Sequence, residues 1–194
     1  MKHSSVVCLV VLGFVSAQVA SHAAERVKAN NADNLNLTSS WVGGTVPAWN
    51  DSGWWNSTVT GPNDVLLGAD RSLLGLRVTD PGGGVTIGGA NTVTTSFEGF
   101  NLAGATQNLT LTNLNLTLLA YAGQIWDVAS GRLLTLNPEG FTRQYGASVS
   151  VRGAGTVSST ALSNDATGII GPWARQGTGT STRYATVSGG NVVG

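Results

Sequence analysis

The chain has 194 residues, with ten Lys and Arg balanced by ten Asp and Glu, for a formal net charge of zero. Charged residues make up only 10%, which excludes a basic nucleic-acid-binding surface set by composition. The 41% hydrophobic content excludes the sparse, highly charged composition of disordered chains, and the length suffices for one sizeable core.

Lys2 and His3 precede the apolar run from Val6 to Val15, and small residues lead to Ser21-His22-Ala23. This is the three-part pattern of a secretory signal peptide over residues 1–23, with cleavage expected after Ala23. The run is shorter than the about 20 residues that a helical membrane span needs, and no later stretch is long and apolar enough for one. Cleavage removes Cys8, His3 and His22, which are all the cysteine and histidine in the chain. The mature protein then has no disulfide, no Cys/His zinc site and no Ser-His-Asp triad. Export without disulfides suits a bacterial envelope, so the expected location is secreted or at the cell surface.

Residues 24–60 hold Trp41, Trp49, Trp54 and Trp55 among the turn signals Gly43-Gly44, Pro47 and Asn50-Asp51-Ser52-Gly53. No helical period is visible there, and the segment reads as a Trp-rich N-terminal cap. Residues 61–194 read as short strands separated by turns such as Asp80-Pro81-Gly82-Gly83-Gly84 and Asn137-Pro138-Glu139-Gly140.

The run from Asn108 to Leu119 is the most informative. It alternates apolar and polar residues, but the alternation slips by one at Thr112-Asn113. In one straight strand Leu109 and Leu111 would face away from Leu114, Leu116 and Leu118. A corner at Thr112-Asn113 turns all five leucines into one core, as a β-solenoid requires. Apolar-polar-apolar triplets starting at Val85, Leu109 and Leu134 are spaced by 24 and 25 residues, near one coil of a repeat architecture, although the triplet at Val149 departs from that spacing. The predicted fold is all-β, a right-handed parallel β-helix with an N-terminal cap; a β-sandwich is the alternative. The Gly/Ser/Thr-rich tail from Gly177 is expected to be exposed and loosely packed, as the incomplete end of a longer solenoid.

Several stretches in this order resemble bacterial autotransporter-associated β-strand repeat proteins. They include Ser40-Trp41-Val42-Gly43-Gly44-Thr45-Val46-Pro47, Trp55 to Asn63 and the turn Thr79-Asp80-Pro81-Gly82-Gly83 before Val85-Thr86-Ile87. Trp126-Asp127-Val128-Ala129-Ser130-Gly131-Arg132, Gly153-Ala154-Gly155-Thr156-Val157 and the segment from Leu162 to Ala174 belong to the same likeness. The chain departs from that family's repeat in having Arg152 before Gly153 with no clear second copy downstream. The resemblance implies an exported, surface-displayed β-helical passenger continued by a further C-terminal region. It implies no common catalytic residues.

The carboxylates mostly stand beside Gly, Asn, Ser or Pro, where Asx-turns and caps are the expected roles. No calcium loop or Gly-rich calcium nonapeptide is present, and neither a metal nor another cofactor is expected. The expected function is a structural, non-catalytic surface passenger segment, with adhesion as a further role. Two alternatives stand beside it. A β-helix carbohydrate-active enzyme, a polysaccharide lyase or hydrolase, would bring two carboxylates, or a carboxylate and an arginine, together in a groove. A glycan-binding module would use Trp54 and Trp55 as its aromatic platform. Expected partners are surface glycans or neighbouring envelope components, and not nucleic acid.

Overall fold

The structure is a computed structural model that describes residues 23–194. The leader assigned to residues 1–23 thus lies outside the described residues, except for Ala23. From the N-terminus the strands are β1 (Glu25–Val27), β2 (Ser52–Trp55), β3 (Asn63–Leu66), β4 (Arg71–Val78), β5 (Val85–Gly88) and β6 (Thr92–Leu102). The middle of the chain adds β7 (Leu109–Thr112), β8 (Asn115–Leu118), β9 (Gly123–Val128), β10 (Leu133–Asn137), β11 (Gly140–Arg143), β12 (Ser148–Arg152) and β13 (Thr156–Ser159). The last stretch forms β14 (Ala174–Gln176), β15 (Arg183–Tyr184), β16 (Thr186–Ser188) and β17 (Asn191–Val193).

These strands stack as a parallel β-solenoid of about six turns. One face is the ladder β3-β5-β7-β10-β13, parallel throughout. Its register places Val85 beside Leu109 and Leu109 beside Leu134, so the sequence triplets are successive rungs of one ladder. The next rung is Thr156-Val157-Ser158, with Leu134 beside Val157. Val149 departs from the spacing because it belongs to a different face, where it pairs with Gln124 and Ala174.

The second sheet bends into two faces. The long strands β4 and β6 run through the bend, and their register shifts between Leu73 and Gly75. In later coils the same path is split, into β8 and β9 and then β11 and β12. The second face carries the first part of β6 with β8 and β11. The third face carries β1, β2, the ends of β4 and β6, then β9, β12 and β14.

The corner inferred in the leucine run lies between β7 and β8. Asn113 adopts φ of 52°, a left-handed conformation that Asn tolerates through its short polar side chain. Leu109, Leu111, Leu114, Leu116 and Leu118 are all fully buried. On the first face Val65, Ile87, Leu111 and Leu136 stack inward, and on the third face Leu76, Phe100, Trp126 and Val151 do the same. Phe100 and Trp126 pack with ring centroids 5.5 Å apart. The inner row also holds one polar network. Thr95 Oγ1 donates to Gln124 Oε1 at 2.9 Å, and Gln124 Nε2 returns a bond to the Thr95 carbonyl at 2.6 Å. That pairing satisfies both buried side chains across adjacent coils. The Asp80-Pro81-Gly82-Gly83 turn presses onto the coil before it. A Cβ on Gly82 would lie 2.1 Å from the Thr60 carbonyl oxygen, and one on Gly83 would lie 2.4 Å from Pro62 N, so only glycine fits.

The N-terminal end is sealed by two of the four tryptophans. Trp41 and Trp55 are buried, meet edge to face at 6.0 Å and donate to the Leu35 carbonyl and to Asn63 Oδ1. Beside them Lys28 is completely buried, and its ammonium donates to Ala29 O, Asn31 O and Asn31 Oδ1 at 2.7–2.9 Å. Burial lowers its pKa to about 8, opposed in part by the charge of Asp33. Asp51 fixes the entry of the chain. It accepts from Ala24 N, Ala48 N and Arg26 Nε at 3.0–3.1 Å. Burial raises its carboxyl, but these bonds and the Arg26 charge outweigh burial and hold it below its ordinary value. The segment read as a cap also contributes β1 and β2 to the third face.

The C-terminal tail is mostly exposed, as expected of it, but it is paired with the last coil. The chain folds back antiparallel, with β15 against β14, β17 against β13 and β16 against β17. Ala185 and Val192 are buried by this return. Antiparallel pairing occupies the edges of the last coil, a need that Gly- and Thr-rich composition does not reveal.

Stability measurements test these contacts. Leu111→Ala is expected to cost about 2–5 kcal/mol in urea unfolding, whereas at the corner Asn113→Gly is near neutral and Asn113→Val costs about 1–2 kcal/mol. For the cap, the unfolded chain keeps Lys28 protonated up to the ordinary 10.5 while the folded chain releases the proton near 8. Stability of the wild type relative to Lys28→Met therefore rises as pH increases from 8 towards 10.5, read as the urea midpoint of each protein. The depressed Asp51 gives a pH slope of the same sign in an acidic window: its stabilising contribution is present above its ordinary value of 3.8 and is lost as pH falls through its folded value.

Candidate functional site

The third face presents two outward rows of side chains across successive coils. One runs Trp54, Arg77, Asn101, Asp127 and Arg152. The other contains Ser52, Gly75 and Gly99, then Ile125, Ser150 and Arg175. The two glycines leave a trough in the second row. A Cβ on Gly75 would lie 2.6 Å from the Gly99 carbonyl oxygen, and Gly99 itself has φ of 65° with the Ile125 carbonyl oxygen at the same distance from its Cβ position.

Glu98 lies along this trough. It enters the face from the two extra residues that β6 carries at the corner relative to β4. Its carboxylate accepts from Ser52 Oγ and, at 3.5 Å, from Asn101 Nδ2. Glu98, Asn101, Ile125, Asp127 and Arg152 together line a cleft of about 180 Å³. A second cleft of about 370 Å³ continues from Ile125 and Arg152 past Ser148 and Ser150 to Trp173 and Arg175. The two clefts form one furrow across the coils.

The cations of the furrow are held without carboxylates. Among the described residues the ion pairs are Arg26–Asp51 and Arg77–Glu25. Arg152 Nε donates to Ser150 Oγ at 3.2 Å. Arg143 lies over the Trp173 ring at 5.5 Å and Arg175 over Tyr184 at 5.7 Å. Trp173 also stacks on Phe141 at 6.2 Å and 27°.

The residues named from sequence fall differently. Trp54 does face outward and is half-buried, with Arg77 over its ring at 5.1 Å and its Nε1 bonded to Thr79 Oγ1. Trp55 is fully buried in the end of the core, so the paired platform is corrected: in this structure it presents no face to a ligand, because consecutive residues of a strand point to opposite sides. Trp126 is core, and Trp49 is 72% exposed. Asp165 holds a local turn as expected, accepting from Thr167 N and Oγ1, whereas Asp80 and Asp70 accept from Ser57 N and Thr92 N on neighbouring coils. Hydrogen bonds from Thr167, with a smaller opposing effect of desolvation, hold Asp165 below its ordinary pKa. Glu98 and Asp127 differ, since they stand on the side of the solenoid and share a cleft with Arg152. Sequence reasoning passed over Arg152, Trp173 and Arg175. Outward placement of Arg152 was readable from the alternation Ser148-Val149-Ser150-Val151-Arg152, but its neighbours on other coils were not. Among the described residues no group of three His, Cys, Asp or Glu is placed to hold a metal ion.

Filling the trough tests its construction. Gly99→Ala is expected to lower the melting temperature, with a cost of about 2 kcal/mol or more, because the left-handed φ and the Ile125 carbonyl both oppose a Cβ. Comparison with family models, with curated proteins and with solved structures yields no match.

Proposed function

We propose that this protein is an exported, surface-displayed solenoid segment of the autotransporter-passenger kind, with a structural role and adhesion to surface glycans through one side of the solenoid. The observation that carries the reading is the furrow on the third face, which runs across several coils and offers arginines without carboxylate partners. The leader pattern and the stretches that resemble autotransporter-associated repeats support display outside the cell. A stack of coils also suits display mechanically, because each coil extends the structure while adding another outward row. No helix among the described residues is long and apolar enough to cross a membrane.

A second reading is favoured by one specific feature, the shared cleft of Glu98, Asp127 and Arg152. Two carboxylates and a cation around a bound sugar are the elements of general acid–base chemistry at a glycosidic bond. Ser52 and Asn101 hold Glu98 in place, leaving Asp127 and Arg152 to meet a substrate.

Two measurements decide between these readings. Intact mass of the protein from its native host is expected to correspond to a chain beginning at Ala24, with the protein accessible to protease on intact cells. A mass retaining residues 1–23 would overturn the display reading. Incubation with acidic and neutral polysaccharides is expected to give no cleavage. Turnover that disappears in Asp127→Asn would establish the enzyme reading instead.

A further inference from the structure

The corner between the second and third faces carries a row of exposed aromatic rings. Phe97, Tyr121 and Tyr145 are 60%, 72% and 79% exposed. They lie within β6, in the β8–β9 connection and in the β11–β12 connection, so three successive coils each contribute one ring at the same corner. Tyr121 and Tyr145 meet edge to face at 5.6 Å. Tyr121 takes a φ of 57°, rare for a bulky residue, and its N–H donates to the Tyr145 carbonyl at 3.0 Å. The rings stay at the surface although burying them would be favourable, and the backbone fixes Tyr121 in its place.

The furrow adjoins this corner. Its wall at Gly123 and Ser148 belongs to the strands that follow Tyr121 and Tyr145, and Trp173 forms its far end. The charge of the coils changes along the axis as well. Residues 23–139 contain nine carboxylates and five cations, whereas residues 140–194 contain Arg143, Arg152, Arg175 and Arg183 against Asp165 alone.

We propose that this corner and the adjoining furrow form a binding site for an anionic polysaccharide, a linear sugar polymer bearing carboxylate or sulfate groups. The exposed rings supply flat apolar faces on which the C–H faces of sugar rings stack. Arg152 and Arg175 supply planar donors for the anionic groups. The rings recur on successive coils at the strand spacing of about 4.8 Å, and Arg152 and Arg175 stand on adjacent coils in neighbouring rows, an extended arrangement that suits a polymer better than a compact ligand. Glu98 and Asp127 accept from sugar hydroxyls at the N-terminal part of the furrow. The same carboxylates repel any anionic group, so the charged groups of the polymer belong at the Arg152 and Arg175 part of the furrow, and single-stranded RNA, which also uses arginine and aromatic rings, is decided by the test.

The proposal deepens the adhesive reading and rests on it for the setting in which the polymer is met; binding by purified protein is nevertheless measured independently of export. The experiment titrates the full mature chain with polygalacturonate and with dextran sulfate by calorimetry, using neutral dextran and poly(U) as controls. Two variants are compared with the wild type, each first checked for an unchanged melting curve. Tyr121→Asn with Tyr145→Ser removes the rings, with Asn suited to the left-handed backbone. Arg152→Gln with Arg175→Gln removes the donors. Binding of at least one anionic polymer is expected, carboxylate and sulfate preference being read from the two titrations, with a loss of about tenfold or more in each variant. Should the arginine pair fail to fold, the tyrosine pair at the exposed corner decides alone. No binding to either polymer, or unchanged affinity in the tyrosine variant, overturns the proposal; so does tighter binding of poly(U). If the polymers fail to bind while the leader is cleaved and the protein is displayed, the site is wrong and the display reading stands.

Discussion

One constraint organises this molecule: a single coil cannot bury its own apolar row. Each inward residue is covered by its counterparts on the coils before and after, as Leu111 is by Ile87 and Leu136. Stacking supplies those neighbours and, in the same step, pairs the backbone groups that each strand would otherwise expose. Hydrophobic burial and hydrogen bonding thus require the same geometry. The two ends are where the requirement fails, and both show special chemistry. At the start, Trp41 and Trp55 cover the core while the Lys28 ammonium satisfies three oxygen acceptors. At the other end, the chain returns antiparallel onto β13 and β14.

Corners decide what the outside of the solenoid looks like. Between β7 and β8 a single Asn113 in the left-handed region makes the turn, and every leucine on either side points inward. At the opposite bend the chain varies from coil to coil. It passes straight through in β4, adds two residues in β6 and opens into connections after β8 and β11. The small residues Ser96, Ala122 and Ala147 turn inward there while the large ones turn outward. The variation places Glu98, Phe97, Tyr121 and Tyr145 on the surface beside a ladder that is otherwise regular.

The furrow follows from the same regularity. Aligned coils bring residues about 25 positions apart into rows, so isolated polar residues in the sequence become neighbours. Asp127 sits beside Arg152, and Ser150 lies between Ile125 and Arg175. Glycine at Gly75 and Gly99 lowers one row and gives Glu98 a place to lie. Charge remains sparse, yet the furrow brings Glu98 and Asp127 together with Arg152 at one part and holds Arg175 at another.

Much of the fold was legible before any coordinates. The slip in the leucine run required a corner, because strand side chains alternate strictly, and the spacing of Val85, Leu109 and Leu134 matched one coil. Those are local or periodic constraints, and they act through residues close in sequence or repeated at a fixed interval. The C-terminal return was not legible, since Ala185 and Val192 become buried only against partners that the tail reaches by folding back. The site was hidden for the same reason. Trp54 and Trp55 looked like a pair, but adjacent strand residues face opposite ways, one outward and one into the core. Glu98, Asp127, Arg152 and Arg175 looked unrelated, because no local pattern links them. By itself the sequence determined the strand-and-corner grammar of the coil; only the tertiary structure decided which coil lies on which, and hence which outward side chains share a face, because that register depends on inward contacts between residues more than twenty positions apart.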